Sequence, residues 1–278
     1  VYMADGIKIG EVTPDAAIVW VRLTRAPERN VSGAPFPEVT GKDRAGGDLS
    51  VSEITGGRAL TEMEGAVPGA TGLVRVIWMP AERLDGKIDG GWQAVDPERD
   101  FTCQFPLRGL TPDTPYALIV EGKPDAASEV SCRVQGRFRT APLPDAEAPV
   151  NFVVVTCGDY PRRDDPERGH KIYDAMLTLK PDFFVHTGDI EYYDKPLPWG
   201  PAPELVRFKW DRFYALPFQR TFHCNVASYF MKDDHDTLCN DCWPGQHYGA
   251  LTWEQGLAIF TEQVPIGPMP YRTFRWGR

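Results

Sequence analysis

A continuous apolar run, Asn151-Phe152-Val153-Val154-Val155-Thr156, follows a proline-rich stretch, and the chain behind it is patterned differently from the chain ahead of it. Such a run predicts a strand buried on both faces, as in a parallel sheet. Asp165-Pro166 offers an N-cap and a first-turn proline for a helix. Ile172, Tyr173, Met176, Leu177 and Leu179 fall on one side of it. Lys180-Pro181 ends the helix, and Asp182-Phe183-Phe184-Val185-His186 resumes as a strand. A further helix is predicted over 204–214, a short strand over 227–231 and a helix over 253–261. Strand, helix and strand in succession imply an α/β domain with parallel strands.

Ahead of residue 145 no helix period intervenes between β-like runs at 17–23, 73–78, 116–120 and 133–139. Short strands separated by Gly, Pro and Asp predict an antiparallel sandwich. Within it Leu110-Thr111-Pro112-Asp113-Thr114-Pro115-Tyr116 resembles a turn of fibronectin type III domains, whose tyrosine hydroxyl bonds back to the backbone at a sheet corner. Residues 29–58 are rich in Gly and Pro and read as a long loop insertion. Cys103 and Cys132 fall in strand-like segments; a disulfide between them and two free thiols are both open readings. The expected fold class is β + α/β. A fibronectin type III-like sandwich spans residues 1–143, a stiff linker 144–150, and an α/β domain 151–278.

The formal charge of -9, from 30 Lys and Arg against 39 Asp and Glu, argues against a nucleic-acid backbone as partner. It leaves room for a phosphorylated substrate, which a bound cation can attract. No apolar run approaches the roughly 18 residues of a membrane span. The chain opens on Val1-Tyr2-Met3-Ala4-Asp5 without a signal peptide, so one was either never present or has been removed. Six cysteines are too few for a disulfide scaffold at this length.

Each predicted core strand ends in potential metal ligands. The first gives Thr156-Cys157-Gly158-Asp159, the second His186-Thr187-Gly188-Asp189-Ile190-Glu191-Tyr192-Tyr193-Asp194, and the third Lys232-Asp233-Asp234-His235-Asp236. In open α/β sheets ligands bind outside the carboxyl ends of the strands. Acidic and thiol clusters converging there would repel one another unless cations sat between them.

The order of these clusters is similar to that of the metallophosphoesterase superfamily. Cys157 stands in the first motif, Tyr192 three residues after Asp189, and Asp234 where Asn is usual. That set resembles the alkaline phosphatase D (PhoD-like) family, as does Tyr271-Arg272-Thr273-Phe274-Arg275-Trp276-Gly277. The resemblance implies the N-terminal part of a metallophosphoesterase domain behind a fibronectin-like module, and a phosphoric ester hydrolase that acts on monoesters or diesters. It implies Fe(III) beside Ca(II), with Asp189 bridging, Cys157 and Tyr192 on the ferric ion and Asp234 on the harder ion. It also implies a hydroxide activated by both ions, a small phosphate ester as partner, and a periplasmic or extracellular setting. His235 is the catalytic candidate, steadying phosphoryl oxygens or protonating the leaving alkoxide.

Other residues carry open readings. Arg162 and Arg163 could contact a phosphate or belong to a solvated loop. Asp159 is an additional ligand or a turn carboxylate. His186, inside a strand, reads as a core histidine or one that supports the ligands. His223 and Cys224 read as structural. Cys239-Asn240-Asp241-Cys242 has the spacing of zinc and redox sites, yet lacks a second ligand pair and a helix to open, so a local disulfide or plain thiols is the default.

Two later histidine motifs of the superfamily are missing; His247 is the only histidine after the third cluster. The chain also begins within what reads as the first strand of the sandwich. These features lead to the expectation of a fragment that is unstable, binds metal weakly and hydrolyses little. The competing functions are a catalytically degenerate binding module and a zinc or redox protein centred on Cys239 and Cys242.

Overall fold

The computed structural model describes residues 1–38, 46–83, 86–268 and 271–278. Its first half is built of strands β1 (Ile7–Gly10) and β2 (Ala16–Arg22), a short helix α1 (Val51–Thr55), then β3 (Leu73–Pro80), β4 (Ile88–Asp89), β5 (Gln93–Ala94), β6 (Thr102–Arg108), β7 (Pro115–Lys123) and β8 (Cys132–Arg139). The second half runs β9 (Phe152–Val155), α2 (Lys171–Thr178), β10 (Phe183–His186), α3 (Pro203–Tyr214), α4 (Pro217–His223) and β11 (Ala227–Phe230). It ends with β12 (His247–Tyr248), β13 (Leu251–Thr252) and α5 (Trp253–Gln263). No helix among the described residues is long and apolar enough to cross a membrane.

Alternation of side chains along the strands makes the sandwich. Val74 and Val76 of β3 and Leu118 and Val120 of β7 are buried against Ile7, Ile9, Val19 and Val21 of β1 and β2. At one corner the Tyr116 hydroxyl accepts the Thr111 N–H at 2.9 Å, the bond expected from the turn sequence.

One of the two sheets does not stop at the sandwich. It runs β6-β2-β1-β11-β10-β9, with β9, β10 and β11 parallel to one another. The seam is the parallel pairing of Gly10 with Ser228. A Cβ at residue 10 would lie 2.8 Å from the Ser228 carbonyl oxygen and 2.7 Å from Pro265 Cγ, so only glycine permits the approach. Buried charges reinforce the seam. Arg22 pairs with Asp5, Asp100 and Asp211, at 3.1, 2.8 and 2.8 Å, and so ties β2 to α3.

Three local expectations are corrected. β9 is not buried on both faces: it is the edge strand, and Phe152 and Val154 are 50% and 53% exposed. Helix α2 begins at Lys171, not at Asp165, because the Asp165 carboxylate caps a tight turn by accepting the Glu167 and Arg168 N–H groups. Gly169, at φ 108°, then redirects the chain. Of the predicted apolar stripe Tyr173 and Met176 are buried, whereas Ile172 and Leu179 are exposed. Finally, β1 starts at Ile7 and not at the first residue, with Tyr2 bridged to Thr24 ahead of it. The insertion at 29–58 carries α1, whose Ser50 and Glu53 form a capping box; residues 39–45 of it lie outside the described residues.

Cys103 and Cys132 are free thiols. The closing segment docks on β11, where Trp276 Nε1–H donates to the Tyr229 hydroxyl at 2.9 Å and Arg272 donates to the Phe230 carbonyl at 2.6 Å.

Candidate metal centre

Val155, His186 and Phe230 are register partners across β9, β10 and β11, so the three following loops leave the sheet at one level. Backbone hydrogen bonds then zip them together. Cys157 N–H donates to Gly188 O at 3.1 Å, Gly158 N–H to Asp189 O at 2.6 Å, and Tyr193 N–H to His235 O at 3.1 Å. Asp236 braces two loops at once, accepting Ile190 N–H at 3.1 Å and Asp233 N–H at 2.6 Å. Burial pushes its carboxyl up to about 7. Cys157, Gly188 and Asp189 hold φ of 60°, 110° and 56°, an accumulation of left-handed backbone typical of functional sites. The glycines mark where the loops touch. A Cβ on Gly158 would lie 2.2 Å from Ile190 O, and one on Gly188 2.6 Å from Asp233 Cβ.

The zipping gathers five of the sequence-derived residues. Asp189 Oδ2 accepts from the Cys157 thiol at 3.6 Å and the Tyr192 hydroxyl at 3.1 Å. Asp189 Oδ1 is buried and has no hydrogen-bond partner. Ligand atoms of Asp189, Asp234 and His235 all lie within 4.8 Å of one another, a spacing one cation could span. Among the described residues no other group of His, Cys, Asp and Glu side chains is so spaced. The Tyr192 phenol is pushed above its ordinary value by burial, and further by Cys157 and Asp189 beside it. Burial raises the Asp234 carboxyl too, but the backbone N–H groups of Asp241 and His235 prevail and hold it below the usual carboxylate value.

The residues fit a bound cation. A buried carboxylate oxygen without a donor costs free energy that a metal would recover. The surrounding thiol, phenol and second carboxylate are groups that a multivalent ion holds in anionic form.

Residues without a role in the sequence reading support this group. His235 Nδ1 lies 2.6 Å from Asp194 Oδ1, and its ring packs on Tyr192 with centroids 4.4 Å apart. Asp194 Oδ2 accepts the Asn240 N–H at 2.9 Å. Asp194 stood within the second cluster, yet nothing in its spacing distinguished it. Glu191 and Lys209 form a fully buried ion pair at 3.5 Å, which a carboxylate two residues past Asp189 does not announce.

The remaining candidates lie elsewhere. Asp159 is buried and its Oδ1 has no hydrogen-bond partner, but it does not belong to the Asp189, Asp234 and His235 group. Arg162 is largely exposed and pairs with Asp159 at 3.7 Å. Arg163 is spent on structure, stacking on Tyr160 and donating to Tyr160 O and Pro166 O. His186 is buried beneath the loops, and burial lowers it to about 3. His223 is buried and bonded to Ser228 at 2.9 Å, and Cys224 is buried in the core. His247 lies exposed in β12.

The Cys239–Cys242 turn docks on the centre. Cys242 Sγ donates to Asp234 O at 3.3 Å, and the Asp241 N–H binds the Asp234 carboxylate. Burial and nearby carboxylates push Cys239 up to about 11, which keeps it a thiol near neutrality and unlike an activated redox cysteine.

The sheet, its three zipped loops and the carboxylate–histidine group define a protein in which a β-sandwich shares a sheet with an α/β layer that carries a candidate cation site. The family model for the PhoD-like phosphatase N-terminal domain matches residues 1–142, and the chain belongs to the PhoD-like phosphatase family. Among solved structures it is similar to PhoD, with a TM-score of 0.64 at 18% identity, covering 97% of this chain and 46% of that one. It is also similar to purple acid phosphatase PPD1 from yellow lupin (Lupinus luteus) seeds, with a TM-score of 0.54 at 13% identity, covering 95% of this chain and 41% of that one. The chain thus spans less than half the length of either. No curated protein matches it.

Proposed function

We propose that Cys157, Asp189, Tyr192, Asp234 and His235 form the hydrolytic centre of a metal-dependent phosphoric ester hydrolase. The observation that carries this reading is Asp189: its Oδ1 is buried without a partner, its Oδ2 accepts from a thiol and a phenol, and one of its carboxylate oxygens lies within 4.8 Å of ligand atoms of Asp234 and His235. Cys157 and Tyr192 would hold Fe(III), Asp234 would hold Ca(II), and Asp189 would serve both. When bound, two such ions supply a hydroxide nucleophile and neutralise phosphoryl charge.

The chain's own residues do the rest. Asp194, at 2.6 Å, accepts the Nδ1–H of His235 and leaves Nε2 to hold or deliver a proton at the leaving oxygen. The shared loop hydrogen bonds fix the ligands before substrate arrives, which limits reorganisation during reaction. The same reading includes the division into a fibronectin-like module at 1–143, a linker at 144–150 and a catalytic portion at 151–278. It also includes export to the periplasm or cell exterior, and low turnover by this chain.

Metal analysis of the purified chain, with hydrolysis of 4-nitrophenyl phosphate and its diester, tests it. Expected are bound iron with a visible charge-transfer band, lost in Cys157→Ser and Tyr192→Phe, and measurable release of nitrophenol. Iron bound identically in both variants would overturn the ligand assignment, and absence of hydrolysis at full metal occupancy the function.

A further inference from the structure

A cavity of about 240 Å³ opens between Phe36, Pro37, Glu38 and Ile54 on one side and residues 196–199 on the other. One of its lining residues stands near the candidate centre in the chain. Pro196 follows Asp194 by two residues, so their Cα atoms lie at most about 7.6 Å apart. Asp194 holds His235, and Lys195, between them, places Nζ 3.4 Å from the centroid of the Tyr192 ring.

The cavity wall is built, not incidental. Arg212 donates to Leu197 O at 2.7 Å and Lys209 to Pro198 O at 3.0 Å. Both are buried cations of α3, and Lys209 pairs with Glu191, two residues past Asp189. Leu197 holds φ 68°, a conformation that a leucine keeps only where its surroundings impose it. Opposite, Ile54 is buried and Phe36 packs edge-on against Phe208 with ring centroids 5.2 Å apart. The lining is apolar apart from Glu38, which is exposed.

We propose that this cavity receives the uncharged, apolar alcohol portion of the phosphate ester, an aryl or branched alkyl group. The proposal rests on the hydrolase reading of the metal centre and names its substrate class. A cavity of about 150 Å³ accepts benzene, so the larger volume here accommodates a substituted ring. The Glu38 carboxylate disfavours alcohols that carry a negative charge of their own, such as those bearing a carboxylate or a second phosphate. The ester oxygen stays beside His235 while the apolar group extends past Pro196.

Two arms test this on the metal-loaded chain. In the first, saturation-transfer NMR with benzyl alcohol is run on the parent and on Pro37→Trp, an exposed position where the larger ring fills the cavity from its edge. Signal transfer in the parent and its loss in a folded Pro37→Trp support the proposal; absence of transfer in the parent overturns it, whatever the hydrolysis. In the second, kcat/KM for phosphate release is measured for phenyl phosphate and methyl phosphate, in which the varied group is the alcohol that leaves. The phenyl-over-methyl preference is expected to fall about tenfold in Pro37→Trp, and an unchanged preference overturns the proposal. Glu38→Lys is expected to raise kcat/KM severalfold for carboxyphenyl phosphate, with little change for phenyl phosphate; equal effects on both would contradict the assigned role of Glu38. Failure to hydrolyse any ester while benzyl alcohol binds overturns the hydrolase reading, and with it the assignment of the cavity to an ester.

Discussion

His235 keeps its place through Asp194, whose two oxygens are divided between the imidazole at 2.6 Å and the Asn240 N–H at 2.9 Å. Asp194→Asn keeps the shape but can no longer fix the tautomer as a carboxylate does. Groups that orient a ligand or a catalytic imidazole typically change activity or metal affinity about 10–100-fold when replaced. On the proposed function, Asp194→Asn is therefore expected to lower kcat about tenfold or more while leaving in place the band that the proposed iron would share with Cys157 and Tyr192. Loss of that band instead would mean that Asp194 supports the ligands and not His235. At this scale the sequence was legible for residues whose chemistry is unusual at a strand end, such as Cys157 beside Asp189 and Tyr192. It was silent on Asp194, because a carboxylate in a loop acquires its role only from what another loop brings to it. Arg163 shows the reverse: it looked free in sequence, and Glu64, Tyr160 and Pro166 occupy it in the fold.

Helix α3, expected over 204–214, runs Pro203–Tyr214, and its buried face carries charges that the sequence reading did not foresee. Lys209 and Glu191 are both fully buried and sit 3.5 Å apart. Removing one partner strands the other charge in a medium that solvates it poorly, at a cost of about 3–5 kcal/mol, whereas an apolar pair of similar volume can be nearly neutral. Glu191→Leu is expected to destabilise by that amount in denaturant unfolding, and adding Lys209→Met to recover much of it. A double variant as unstable as the sum of the singles would show that the two groups act apart. The β9 misreading has a related cause. Four apolar residues look alike whether a strand is central or at an edge, and position in the sheet is decided by partners far along the chain. The turn at Asp165 was mistaken for a helix start because an aspartate that caps a turn uses the same backbone N–H bonds as an N-cap.

Across the whole molecule, the one sheet shared by both halves has a buried cation at its centre. Lys8 of β1 places Nζ 3.4 Å from the centroid of a Trp20 ring and 3.8 Å from that of Tyr214, and donates to Gln263 O at 2.8 Å. It thereby joins the sandwich to α3 and α5. Burial lowers its pKa to about 7, with Asp5, Asp211 and Asp100 opposing the shift and Arg22 adding to it. The sign follows from proton counting. Above about 10.4, the ordinary lysine value, the amine is neutral folded and unfolded and contributes nothing to the pH dependence. As pH falls from there toward 7 the unfolded chain takes up a proton that the folded chain refuses, so stability declines by up to about 1.4 kcal/mol per unit. Below 7 both states are protonated and the penalty is constant. Other groups titrate in this range, Asp236 among them, so the informative quantity is the difference between the parent and Lys8→Met. Between pH 7 and 8.5 the parent is expected to gain stability relative to Lys8→Met as pH rises, the thiols being common to both proteins. Urea unfolding of both proteins across that window measures it. Parallel curves would mean that the surrounding carboxylates and rings offset the burial of Lys8 and leave its pKa at the ordinary lysine value.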